Sequence, residues 1–368
     1  MAISISKEPS GIYPAYNDSF IEFTSDLSGH NKAEITVYPV SIFAKVFTLY
    51  PDNDGNYLFD LKEPVKVLFN ASGFEDSNFF DYAYWKSISG LYLSQDIQIK
   101  VLNDSTSETV LKTYEFFKAV KQIGEPLPDN PFQLLSHTED GVNHSLTYFE
   151  GFPFHWDIQR VLTGKDLSVK SLNNSIETAA MTTTSTGAFR MIVDRSNGWN
   201  WTSQNVLPLI TGLNRLEIYE DGVFKSNVIL KKKENCSGVY LKWFNSNGGF
   251  SHFLFDKFFV SRITGKNIDI ISNTEFNNIA SLTSGFKSTG KEAGRSMTLR
   301  AKYDANEYNI LKDILISPLV QVYTSEFADV KGRFIDVNVE GSLNYSNKKA
   351  LNQAILTVDL PDMITAKL

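Results

Sequence analysis

The chain has 368 residues, a formal net charge of −7, 42% hydrophobic and 13% aromatic residues, and one cysteine. That length allows two or three domains with sizeable cores. The acidic balance argues against a general nucleic-acid coat, and a lone Cys236 excludes an intrachain disulfide or a cysteine metal cage.

The first residues lack a basic segment followed by an apolar one, so no signal peptide is expected. No apolar run approaches the ~18 residues of a membrane helix. Synthesis in a cytoplasm without export, and no membrane partner, follow as expectations. Phe (27) and Tyr (16) are abundant, and with Val, Ile and Thr they favour pleated surfaces. The expected class is mainly β, in antiparallel β-sandwich domains.

In chain order, residues 1–16 hold Pro9, Gly11 and Pro14 and read as an extended arm. Residues 18–24, 33–38 and 42–50 read as strands. Pro51 to Asn56 carries the Asp54-Gly55 hairpin-turn signal. Residues 57–61 and 65–69 read as strands broken by Pro64, residues 71–92 as a long loop, and 96–102 and 110–120 as strands. These form an N-terminal sandwich domain over residues 1–124. Pro126, Pro128 and Pro131 oppose both helix and central strand, so residues 125–135 read as a linker.

A central β domain is expected over 136–282, with strands at 145–161 (broken near Gly151 or Pro153), 167–172, 188–193, 215–219 and 228–233, and a polar loop at 181–187. It ends in an aromatic hairpin, residues 237–260, reversing at Asn247-Gly248-Gly249. Aromatic residues on both faces suggest that one face meets a core and the other a second protein. Trp243, Phe244, Phe250, Phe253 and Phe255 are the candidate assembly residues. After a loop at 272–293, a C-terminal β unit over 283–368 has strands at 296–303, 319–323, 334–339 and 354–360. It also holds the one expected helix, residues 304–316, capped by Asp304 with Glu307 at the capping-box position and an apolar stripe of Tyr308, Leu311, Ile314 and Leu315.

Candidate chemistry is sparse. Asp52, Asp54, Asn56 and Asp60 resemble a calcium loop, but Tyr57 stands at the sixth position, where such a loop turns on glycine, and a hairpin turn accounts for them. His137, His144 and His155 with Glu139, Asp140 and Asp157 lack metal-ligand spacing, so surface and loop roles are expected. Glu150 and Asp157 flank aromatic residues as a glycosidase pair would, yet acid-plus-aromatic strands more often divide between core and solvent. Lys231 to Lys233 read as a solvated strand end or an edge guard. No phosphate loop, G-x-S-x-G or H-E-x-x-H occurs. No enzyme activity, cofactor or metal is expected.

Three stretches carry a resemblance: ISISKEPSGIYPAYNDSFIEFTSD (3–26), VYLKWFNSNGGFSHFLF (239–255), and LRAKYDANEYNILKDILISPLVQVY (299–323) with the strands of FIDVNVEGSLNYSNKKALNQAILTVDL (334–360). They resemble tail structural proteins, of distal-tail, baseplate or tail-tip type, from phages of Bacteroidetes-type hosts. The likeness does not extend over residues 60–230. It implies a virion protein made in the host cytoplasm that forms a homo-oligomeric ring, joins other tail proteins, and ends in a tail-tube-like β unit with one packed helix. The alternative is a carbohydrate-binding module for host-surface glycan, with Trp85, Trp156, Trp199 and Trp201 as stacking platforms.

Overall fold

A computed structural model describes residues 3–27, 31–37, 44–70, 85–122, 132–138, 140–160, 164–182, 187–194, 207–234, 237–257, 259–272, 286–324, 333–363 and 365. The chain is mainly β and divides into two compact units. Unit 1 comprises residues 1–234 and 244–251; unit 2 comprises 235–243 and 252–368. Of the expected linker at residues 125–135, residues 125–131 lie outside the described residues, and Phe132–Leu134 is a strand with Phe132 and Leu134 buried.

Unit 1 begins with a three-stranded sheet in the order Ile3–Lys7, Phe20–Ser25, Tyr57–Asp60, and a five-stranded sheet in the order Ile12–Pro14, Ser107–Phe117, Tyr92–Leu102, Lys32–Val37, Lys45–Leu49. Their inward residues share one core containing Ile21, Phe23, Ile35, Tyr57, Ile97 and Phe116. Phe23 and Tyr57 stack at 5.0 Å. The supposed extended arm thus supplies two strands. The turn at Asp52 is present: its carboxylate accepts the Asp54 and Asn56 amides at 2.9 and 2.8 Å. It joins strands of two different sheets, however, and so closes no hairpin.

One expected strand is a helix. Lys62–Asn70 buries Val65 and Phe69. Pro64 is compatible because it sits in the first turn, where its missing N–H would have had no intrahelical acceptor. Asp60 accepts the Lys62 amide at 2.9 Å and supports the helix start. The expected loop over 71–92 is also partly regular, with strands at Trp85–Ile88 and from Tyr92 onward; residues 71–84 lie outside the described residues.

Two more sheets follow in unit 1. One runs Phe132–Leu134, Phe154–Arg160, Gly187–Asp194, Trp85–Ile88; the other runs Asn143–Phe149, Val223–Lys233, Gly212–Glu220, Asp166–Ser171, Met181–Thr182. They share a core with Trp156, Ile158, Leu167, Met191 and Ile218. Most pairings are antiparallel, but Asn143–Phe149 pairs with Val223–Lys233, and Ile12–Pro14 with Ser107–Phe117, in parallel.

Unit 2 is built on a seven-stranded sheet in the order Phe250–Asp256, Gly238–Phe244, Val320–Thr324, Arg333–Asn344, Asn352–Met363, Lys291–Tyr303, Val260–Asn267. Ile270–Ser272 and Phe286–Ser288 form a small separate ladder, the second strand of which lies inside the stretch expected to be a loop; residues 273–285 lie outside the described residues. The C-terminal helix is Ala305–Leu311, continued as a 3-10 turn over Lys312–Leu315. Asp304 accepts the Glu307 amide at 2.9 Å and Glu307 returns to the Asp304 amide at 3.2 Å, so the capping box is complete. Leu311 and Ile314 are buried as expected, and Asp313, which the helical stripe would place outward, is buried too.

The aromatic hairpin reverses where its glycines predict. The Asn245 amide donates to the Gly249 carbonyl at 2.9 Å and the Gly248 amide to the Asn245 carbonyl at 3.1 Å. The Asn245 carboxamide clamps the turn, accepting the Gly249 amide and donating to the Leu135 carbonyl, both at 3.1 Å. Gly248 has φ +89°, and a Cβ there would stand 2.7 Å from the Lys118 carbonyl oxygen. Gly248→Ala should therefore destabilise the chain by more than about 1 kcal/mol, through both strain and the clash. A thermal melt checks this.

Candidate interaction surface

The residues proposed from sequence must first be placed. Trp243, Phe244, Phe250, Phe253 and Phe255 are all buried within the single chain. Phe244 packs edge-on against Phe250 at 5.6 Å, and Phe253 against Phe255 at 5.6 Å. Trp243 lies opposite Val320 in the seven-stranded sheet. These side chains fill the protein's own interior, so a surface open to a partner has to be sought elsewhere.

Several buried polar groups of the candidate sites are engaged as well. Asp157 is buried between Arg190, whose Nε and Nη2 donate to it at 2.8 and 3.2 Å, and the Phe250 amide at 3.2 Å. Arg190 also lies 5.1 Å over the Phe250 ring. His155 Nδ1 is 3.5 Å from the Asp157 carboxylate. Burial alone would raise the Asp157 pKa; the charge of Arg190, then His155, outweighs it and holds the group at about 2. Arg190 thus favours the charged form of Asp157. Glu150 pairs with Lys232 at 2.8 Å.

Lys231, Lys232 and Lys233 belong to the interior strand Val223–Lys233, which corrects the edge-guard reading. Lys232 is buried against Glu150, and Lys233 lies 5.1 Å over the Phe149 ring. His144 Nδ1 is 2.8 Å from the Ser136 hydroxyl, and burial lowers its pKa to about 4. Asp140 is bound by the Val142 and Asn143 amides, Asn143's being the largest cause holding its carboxyl far below the usual range. Glu139 lies outside the described residues. Among those described, no group of three or more His, Cys, Asp or Glu side chains is placed to hold a metal ion.

Of the candidate sugar-stacking tryptophans, Trp156 is buried, with Phe154 edge-on at 6.3 Å, and cannot present a face to a ligand. Trp199 and Trp201 lie outside the described residues, as does the Trp85 side chain.

The surface that stands out is in unit 2. The strand Val260–Asn267 ends the seven-stranded sheet, and every one of its residues is exposed. Val260 and Ile263 are 64% and 65% exposed, and Ile270 and Ile271 just beyond are 53% and 55% exposed. The pleat explains the pattern. Ser261 pairs with Met297, which is buried, so Ser261, Ile263 and Gly265 continue the core face of the sheet. Past Met297 that face opens, with Arg295 exposed and Ala293 half-buried. Ile263 pairs across to Arg295 and thence to Leu360; Gly265 to Ala293 and thence to Met363, which is 43% exposed. A shallow groove of about 530 Å³ lies at the C-terminal end of this strand, lined by Thr264, Gly265, Lys266, Glu292, Asp362 and Met363 among others, and does not reach Ile263. Val260, Arg262, Thr264 and Lys266 occupy the opposite face.

Among the described residues, this outermost strand also leaves one row of backbone N–H and C=O groups without ladder partners, which is a template for another strand. Sequence reading missed this element because it carried the hairpin's return strand through to Val260. The available signal was Val260, Ile263, Thr264 and the glycines that follow.

No family model matches the chain, and no curated protein does. A solved structure described as a tetra-tandem repeat in the extending region of a large adhesion protein is similar at 10% identity, over 96% of this chain and 80% of that one, with a TM-score of 0.22.

Proposed function

We propose that the chain is a structural assembly subunit and no enzyme: a virion protein of a phage tail tip or baseplate, made in the host cytoplasm, that self-associates in a ring and joins other tail proteins. The observation that carries self-association is the outermost strand Val260–Asn267, exposed on both faces and apolar at Val260 and Ile263. A strand that buries neither face gains little by forming alone, and exposed apolar side chains on an outermost strand are an aggregation hazard unless a partner covers them. On this reading the paired sheets of unit 1 are β-sandwiches, and unit 2, with its helix burying Ile310, Leu311 and Ile314, is a tail-tube-like β unit. The virion context rests on the resemblance of residues 3–26, 239–255, 299–323 and 334–360.

The test is the mass and shape of the purified protein by light scattering and electron microscopy. A closed ring of several copies is the expected result; a monomer at every concentration up to the solubility limit would remove the proposal.

A second reading, attachment to host-surface glycan, has one feature in its favour. Tyr303, Tyr308 and Tyr345 form a near-parallel stack with centroid separations of 6.0 and 4.7 Å, and the outer ring, Tyr345, is 42% exposed. An exposed aromatic face suits a sugar ring. Glycan-array binding by the wild type that Tyr345→Ala abolishes would favour this reading.

A further inference from the structure

We infer that the partner of the strand Val260–Asn267 is the same strand of a second copy, antiparallel, with the two-fold axis passing through Ile263. This rests on the self-association proposed above and specifies one contact of it: a two-fold contact joins copies in pairs, and closing the pairs into a ring takes a second, separate contact. The argument is one of symmetry and charge. A two-fold contact is self-complementary, so each residue facing another is faced by it in turn. Directly opposed residues of an antiparallel pair share a face, so for the sheets to continue into one another the axis must pass through a residue rather than between two.

The candidates near the middle of the strand are then Arg262, Ile263 and Thr264. An axis through Arg262 sets that guanidinium against itself. An axis through Thr264 sets Arg262 against Lys266 twice. Like charges directly opposed are destabilising. An axis through Ile263 opposes no like charges: Val260 faces Lys266, Ser261 faces Gly265, Arg262 faces Thr264, and Ile263 meets Ile263. It joins the most exposed apolar side chain of the strand's core-side face to its own copy. Axes through Ser261 or Gly265 also oppose no like charges, but they leave more of the strand without a partner. Lys45–Leu49, another outermost strand with exposed residues, carries Lys45 and no acid, and so offers Arg262 and Lys266 no complement. The two basic residues, which elsewhere would guard an edge against pairing, here select one register.

Single cysteines in a Cys236→Ser background test the register. Directly opposed Cα atoms lie about 4.5–5.5 Å apart, within the span a disulfide bridges, whereas diagonal neighbours at about 7–8 Å lie beyond it. Under mild oxidation Ile263→Cys should convert the bulk of the chain to a disulfide-linked dimer. Arg262→Cys and Thr264→Cys should each stay uncrosslinked alone but join to one another when mixed. Ile263→Lys, at a site too exposed to affect folding, should weaken self-association at least tenfold by light scattering while leaving the melting temperature unchanged. If the chain assembles but Ile263→Cys does not crosslink and Ile263→Lys assembles as the wild type does, the register is overturned and self-association stands on another surface. If the wild type is monomeric throughout, both fall together.

Discussion

Replacing Arg190 with alanine should destabilise the protein by about 3–5 kcal/mol, because it strands a buried carboxylate. Arg190 is 1% exposed, and its guanidinium holds Asp157 through two hydrogen bonds. Without it, Asp157 keeps the Phe250 amide and the nearby His155, which cannot offset the burial of a full charge. The same substitution removes the cation above the Phe250 ring and so loosens the hairpin tip, residues 244–251, within unit 1. Replacing both partners by apolar residues of similar volume, Arg190→Met with Asp157→Leu, should recover much of the loss, since no charge is then left buried.

The pH dependence has a definite sign. The folded-state pKa of Asp157, about 2, lies below its ordinary 3.8. The pair's contribution is therefore complete above pH of about 4 and is lost as the pH falls through about 2. Urea denaturation at pH 7 and pH 2.5 checks this: the gap between wild type and Arg190→Ala should narrow at the lower pH. Equal midpoints at pH 7 would show that the pair contributes nothing.

That pair also marks a limit of sequence reading. Asp157 attracts notice as an acid among aromatic residues, yet nothing local ties it to Arg190 on the strand Gly187–Asp194; strand pairing across the fold joins them. The same holds for Lys232, whose run of three lysines suggests solvent until a neighbouring strand brings Glu150 against it. Signals that act within a few residues were legible. The Asp304–Glu307 capping box and the reversal at Gly248 and Gly249 both stand where the residues place them. Pro64 misled because a proline opposes the interior of a helix but not its first turn. Burial was the least legible property. Aromatic residues on both faces of the hairpin suggested a partner, but both faces meet the chain's own interior, while the sparser apolar residues at Val260 and Ile263 remain outside.

The contrast between those two places gives the last prediction. Trp243→Ala should cost about 3–5 kcal/mol, the range for deleting a large aromatic side chain from a packed core. Trp243 is fully buried on an interior strand of the seven-stranded sheet, between Phe250–Asp256 and Val320–Thr324. Its indole Nε1 makes no hydrogen bond among the described residues. Trp243→Phe should therefore be markedly milder than Trp243→Ala: it removes a donor that no acceptor satisfies and leaves a smaller cavity. Denaturant titration of the three proteins orders them as wild type, then Phe, then Ala. The Ala variant should also lose assembly, but only in proportion to the fraction unfolded, and a lower temperature should restore it. Ile263→Lys should do the reverse, losing assembly at every temperature with its unfolding midpoint intact. A Trp243→Ala protein as stable as the wild type but unable to assemble would return the aromatic hairpin to the surface of the complex and displace the outermost strand as its interface.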